Sequence, residues 1–335
     1  MIQKMSILLS VLVGLLVLVG CNESEGEGAN GNNNNELEVL EATFILDWVP
    51  NTNHTGLYVA QEKGFFEEEG IDLTIIEPAM EGATQIVASG QAHFGIGAQD
   101  EVTVARSTGI PVVSIAAVIQ ELTSGFASPV EKGITSAADF EGKTYGGWGS
   151  PMEDAIIEAV MEASSADFST LENVTVGTAD FFVNTQRDID FQWIYYGWTG
   201  IEAEIRNEEI NMIYLRDIDP VFDYYAPAII TSDAVIEEQP ELVERFLRAM
   251  SRGYEFAIDN PEEAAEILIG VTPETDADLI RASQDWLSER YQGDASQWGL
   301  QSESKWDNFT EWLLENGLIE ETVNTSDSMT NQFLP

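Results

Sequence analysis

Twice along this chain, short apolar runs alternate with stretches of helical periodicity, and no other feature restricts the architecture as much. "TFILDW" (43–48) precedes a helical stretch at about 54–63, and "IDLTIIEP" (71–78) follows it. A helix over 82–89 stops at Gly90, "HFGIGAQD" (93–100) comes next, and a helix over 100–107 ends at Gly109 before "PVVSIAAVIQ" (111–120). Short strands separated by helices of about ten residues make βαβ units and predict a parallel sheet.

"SPVEKGITSAADFEGKTYGGWGSP" (128–151) interrupts the rhythm with Gly, Ser and Pro, and a second series follows. It comprises "KTYGGWG", a helix over 151–163 opened by Pro151, "NVTVGTA", "FQWIYYGW", a helix over 199–208 and "INMIYLRD". "DYYAPAIITSD" (223–233) reads as a return crossing. Beyond it the pattern is helical over 234–258, 260–269, 273–289 and 301–315, with Asn260-Pro261-Glu262-Glu263 as a capped helix start. The expected fold is α/β: two lobes joined by two crossover strands near 119–128 and 217–226, with a ligand cleft between them. Residues 39–122 form the first part of lobe 1, 123–220 lobe 2, and 221–335 the return to lobe 1 with its helical C-terminal part.

The N-terminal segment has a different character. Lys4 and an apolar run to residue 20 describe a signal peptide (1–20), shorter than the roughly 20 apolar residues of a membrane span. "LVGC" (18–21) resembles a bacterial lipobox, so Cys21, the only cysteine, is expected to be lipidated. Residues 21–38 then form a lipidated cysteine and a flexible Asn/Gly/Glu tether. This predicts an extracytoplasmic body held on the bacterial cell membrane by its lipid anchor.

Charge excludes two classes of partner. Fourteen Lys and Arg against 59 Asp and Glu give a net −45. Nucleic-acid binding needs clustered basic residues, and unaided docking on anionic lipid needs them as well. The body reads as a monomer whose partner is a small molecule.

In α/β sheets, ligands bind beyond the carboxyl ends of the strands, and unusual residues should gather there in both lobes. The first lobe has Asp47-Trp48, Asn51, Asn53, His54 and Tyr58, then Gln99-Asp100-Glu101, then Gln120. The second has Trp148-Gly149-Ser150 with Glu153, and Trp193, Tyr195, Tyr196, Trp198 and Thr199. Four of the eight Trp lie at such positions. Facing aromatic rings suit a planar heterocycle, and amides and carboxylates can read its edge. The alternative is that the rings fill the core beneath each sheet. His54 lacks a nucleophile motif such as G-x-S-x-G, and His54 with His93 lacks a metal-binding spacing such as HExxH, which leaves His54 as a ligand contact or as a hydrogen-bonding residue at a helix start. No catalytic residue, metal or cofactor is expected.

"DWVPNTNHTGLYVAQEKGFFEEEGIDL", "YGGWGSPMED", "WIYYGWTGIEAE" and "AIDNPEEAAEIL" resemble the thiamine-pyrimidine binding family over about 42–320. Its members are solute-binding proteins of ABC importers, with relatives among the pyrimidine synthases of thiamine biosynthesis. The resemblance implies the type 2 periplasmic-binding fold and delivery of a formylaminopyrimidine-like ligand to a permease by hinge closure. The ring would stack on Trp48 and on Tyr195 or Tyr196, with polar contacts from Asn51, Asn53 or His54. One position departs from the family: where an acid follows the Trp of "YYGW", this chain has Thr199, which leaves Glu153 or Glu202 to take that part. The synthase relatives use a cysteine-rich loop and a Lys-bound pyridoxal phosphate, whereas this chain has no cysteine after Cys21. The alternatives to a pyrimidine receptor are another cargo (riboflavin-like or an aromatic sulfonate), a pyrimidine-metabolising enzyme, or a receptor serving a sensor kinase.

Overall fold

The computed structural model describes residues 38–77, 82–177 and 180–335; the signal segment, Cys21 and the tether up to residue 37 lie outside them. In chain order the strands are β1 (Leu40–Ile45), β2 (Ile71–Ile76), β3 (Phe94–Gly97), β4 (Val112–Ala117), β5 (Ser124–Pro129), β6 (Thr144–Gly147), β7 (Glu172–Thr175), β8 (Phe191–Tyr195), β9 (Ile210–Tyr214) and β10 (Ala228–Ser232). They make two five-stranded sheets, ordered β2-β1-β3-β10-β4 and β7-β6-β8-β5-β9. β3 and β4 are buried along their whole length, as near-continuous apolar runs with both faces covered should be, and the hydroxyl of Ser114, the polar residue of β4, donates to Gln301 at 2.7 Å.

The sheets are mixed, which corrects the expectation of parallel ones. β1 is parallel to β2 and β3, and β6 to β7 and β8. β10 runs antiparallel to β3 and β4, and β5 antiparallel to β8 and β9. Both reversed strands follow directly on a crossing between the sheets, at 118–123 and at 215–227. Each arrives from the other lobe, so no helical crossover sets its direction.

The C-terminal helices differ from expectation in ways that trace to single residues. The stretch 234–258 is two helices, Asp233–Glu238 and Pro240–Asp259, because Pro240 has no N–H to continue a ladder and fits only at a helix start. Asn260 makes no side-chain cap for helix Pro261–Val271; its amide donates back to the Phe256 carbonyl at 3.3 Å. The next helix begins at Ala277 rather than 273, where the Asp276 carboxylate accepts from the Asp278 N–H at 2.8 Å. Helix Glu303–Glu315 serves both sheets. Phe309 and Leu313 join the core under the second, with Tyr224 stacked on Phe309 at 4.5 Å, while Trp306 joins the first.

The first lobe's core centres on Phe246, which stacks on Phe94 at 3.9 Å and lies 5.8 Å from Phe44. Helix Pro240–Asp259 reaches that position by crossing helix Thr55–Glu62 at two glycines. A Cβ at Gly253 would lie 2.0 Å from the Gly56 carbonyl oxygen, and one at Gly56 would lie 2.3 Å from the Tyr254 ring. Alanine is favoured over glycine in a helix by about 1 kcal/mol, but overpacking costs about 1–3 kcal/mol, and here the obstacle is backbone. Gly253→Ala is expected to lower the melting temperature by about 2–6 °C. An unchanged melting temperature would mean that the crossing has slack.

Candidate functional site

A cleft of about 630 Å³ opens where strands of both sheets end. Asp47 and Trp48 follow β1, and Ala98, Asp100 and Glu101 follow β3. Across from them, Trp148 and Ser150 follow β6, Trp193 and Tyr195 lie on β8, and Trp198 lies just beyond it. Tyr224, Ala226 and Pro227 of the second crossing also line the cleft. Among the described residues, the most exposed aromatic side chains are Trp48 at 45 %, Trp148 at 45 % and Tyr195 at 42 %. All three line this cleft, one from the first lobe and two from the second. The rings of these three therefore do not fill the cores; Trp193, at 9 % exposed, sits deeper and meets Trp148 edge-on at 5.3 Å.

Asn51, Asn53 and Glu153 complete the predicted residues in the walls. Glu153 is fully buried, and its carboxylate accepts from the Tyr145 hydroxyl and from the N–H groups of Trp148 (3.1 Å), Gly149 (2.9 Å) and Ser150 (3.4 Å). Ser150 Oγ accepts from the Glu153 N–H at 3.1 Å, closing a capping box on helix Pro151–Ala163. Gly147 leaves the room, since a Cβ there would lie 2.6 Å from Glu153 Oε1. The carboxylate is thus spent on shaping the Trp148–Ser150 loop. Glu202 is engaged as well, in an ion pair with Arg206.

The remaining candidates do not line the cleft. His54 is fully buried; its Nε2–H donates to Asp47 Oδ1 at 2.8 Å and its Nδ1 accepts from the Asn51 N–H at 3.2 Å. Both ring nitrogens are thereby occupied in orienting two cleft residues. Tyr58 packs with Leu268 and Ile280, and burial, then the charge of Glu77, pushes its phenol up to about 12. Gln120 lies in the first crossing, donates to the Leu300 carbonyl at 2.9 Å and lines a separate polar hollow of about 550 Å³.

Tyr196 and Thr199 belong to a π-type turn, Tyr196–Gly200, that joins β8 to helix Ile201–Arg206. The Tyr196 hydroxyl donates to Glu204 at 2.5 Å and its ring packs 5.4 Å from Trp286. Such turns recur at functional sites because they re-aim side chains, and this one brings Trp198 to the cleft. Helix Ala277–Gln292 clasps it through the Ser283 hydroxyl, which donates to the Gly197 carbonyl.

Three acids shape the field. Asp100 and Glu101 sit in the first turn of helix Gln99–Ser107, where the helix dipole favours negative charge. Glu101 has an exposed surface, yet the walls crowd water from around it. That desolvation, then the charges of Asp100 and Asp47, raises its carboxyl to about 7 against a hydrogen bond from Thr84. Desolvation raises Asp100 to about 6. Crowding by the cleft walls, then the charges of Asp100, Asp47 and Glu101, pushes up the Tyr195 hydroxyl although its ring is exposed, and burial, then the charge of Asp100, pushes up that of Tyr224. Tyr224, Met152 and Val104 line the cleft without having stood out in the sequence.

A profile of the family described as NMT1/THI5 like matches residues 51–264. Two curated relatives align over most of their length. The formylaminopyrimidine-binding protein of Halalkalibacterium halodurans is 28 % identical over 97 % of this chain and 98 % of its own. The 4-amino-5-hydroxymethyl-2-methylpyrimidine phosphate synthase of Legionella pneumophila is 30 % identical over 88 % of this chain and 92 % of its own. Among solved structures, the periplasmic aliphatic sulphonate binding protein SsuA from Escherichia coli superposes with a TM-score of 0.68 at 12 % identity, covering 87 % of this chain and 92 % of its own. The fold is that of the periplasmic binding proteins.

Proposed function

The chain belongs to the NMT1/THI5-like family, and from that premise we propose that it is a solute receptor for a small planar heterocycle, a formylaminopyrimidine-like compound. It holds the ligand between its lobes and passes it to an ABC permease, from a position outside the cytoplasm secured by a lipid on Cys21. Ligand contacts made by both lobes at once favour the closed arrangement, and differential affinity for that arrangement drives closure.

The observation that carries this reading is the convergence of the exposed Trp48, Trp148 and Tyr195 on one cleft from both lobes. Trp48, Asn51, Asn53, Trp148, Ser150, Trp193, Tyr195 and Trp198 are the proposed ligand contacts, with Tyr224 added from the crossing. A receptor rather than an enzyme is favoured by His54, which is buried behind the wall with both nitrogens engaged. Calorimetry with formylaminopyrimidine should give saturable binding of one ligand per chain, and the ligand should be recovered chemically unchanged. Absence of binding, or conversion of the ligand, would overturn the proposal.

A further inference from the structure

The receptor reading leaves open the charge of what is received. Asp47, Asp100 and Glu101 line the cleft, and among the described residues no Lys, Arg or His does. Asp47 is held by His54, but neither Asp100 nor Glu101 takes part in any ion pair among the described residues. Aromatic faces carry a negative quadrupole, so Trp48, Trp148 and Tyr195 add to the preference for positive charge. A chain with a net charge of −45 deepens the same potential. Glu153 and Glu202, the acids best placed by sequence to compensate for Thr199, are committed elsewhere.

We infer that the cleft selects planar ligands with a positively charged edge, an amidinium or a protonated aminoheterocycle, seated on Asp100 and Glu101 between the aromatic faces, and that it rejects sulfonates and phosphates. The inference rests on the receptor reading and narrows its substrate class. A carboxylate accepts two parallel N–H bonds from an amidinium edge, and such charge-assisted pairs are about twice as strong as neutral ones.

The test uses three planar probes of near-equal size: benzamidine (cationic), benzamide (neutral) and benzenesulfonate (anionic). Each is titrated by NMR at pH 8, where Asp100 and Glu101 have released their protons. Benzamidine should bind at least about tenfold more tightly than benzamide, and benzenesulfonate not at all. Asp100→Asn with Glu101→Gln should bring benzamidine down to the level of benzamide. Should that variant melt early, the order of the three probes on the unaltered protein decides. Equal binding of benzamide, any binding of benzenesulfonate, or failure of all three overturns the inference. The receptor reading fails separately: formylaminopyrimidine would then not bind while benzamidine kept its lead.

Discussion

Replacing Trp48 or Tyr195 by alanine is expected to weaken formylaminopyrimidine capture roughly 30- to 140-fold while leaving the fold intact. Each ring presents a face to the cleft and keeps nearly half its surface in water. Losing the area that a stacked heterocycle would cover, together with the ring-on-ring term, amounts to about 2–3 kcal/mol. The same exposure makes the substitutions cheap for the free protein, since surface changes of this kind stay within about 0.5 kcal/mol. Tyr195→Phe separates ring from hydroxyl and should bind nearly as the unaltered protein does, because it keeps the ring on which the heterocycle would stack. Calorimetry on the variants checks the losses and a thermal melt checks the fold. Full affinity in both alanine variants would place the ligand elsewhere.

The place of the cleft could be read from the sequence because it follows from a general rule. Alternating strands and helices put strand ends together, and Trp48, Trp148 and Trp198 stand at such ends. Which of two adjacent tyrosines faces the cleft could not be read in the same way. Side chains alternate along β8, so Trp193 and Tyr195 share a side, but the side is set by pairing with β5, whose Ser124 lies opposite Tyr195. Tyr196 leaves that side because the turn beginning there is clasped by Ser283, a residue 87 positions further on. Scarcity draws attention to His54 but does not separate a ligand contact from helix-start hydrogen bonding; the folded chain shows the second, with the ring holding Asp47 and Asn51 for the wall. The acidic wall is visible as Gln99-Asp100-Glu101, yet its meaning depends on the absence of cations among the described residues that line the cleft, and only the folded chain displays that. The direction of β5 and β10 was hidden for a related reason, since periodicity marks a strand but not the way it runs.

Glu153→Ala should be among the most damaging single substitutions in the second lobe, although its carboxylate would never touch the ligand. Removing it strips partners from the N–H groups of Trp148, Gly149 and Ser150 and from the Tyr145 hydroxyl, in a pocket that excludes water. A buried polar group left unsatisfied costs about 1–3 kcal/mol; with water entering part of the hole, the total is about 3–5 kcal/mol. For a chain of this size that corresponds to a fall in melting temperature of roughly 5–8 °C. Glu153→Gln keeps the volume but turns an NH2 group toward donors that need an acceptor, so it should lose about half as much. Affinity should fall in both variants, since Trp148 is aimed by the loop that this carboxylate gathers. Melting curves and calorimetry together discriminate the role. If Glu153→Gln lowered affinity with the melting temperature unmoved, Glu153 would be reading the ligand directly, and the loop would be held by its capping serine and Pro151 alone.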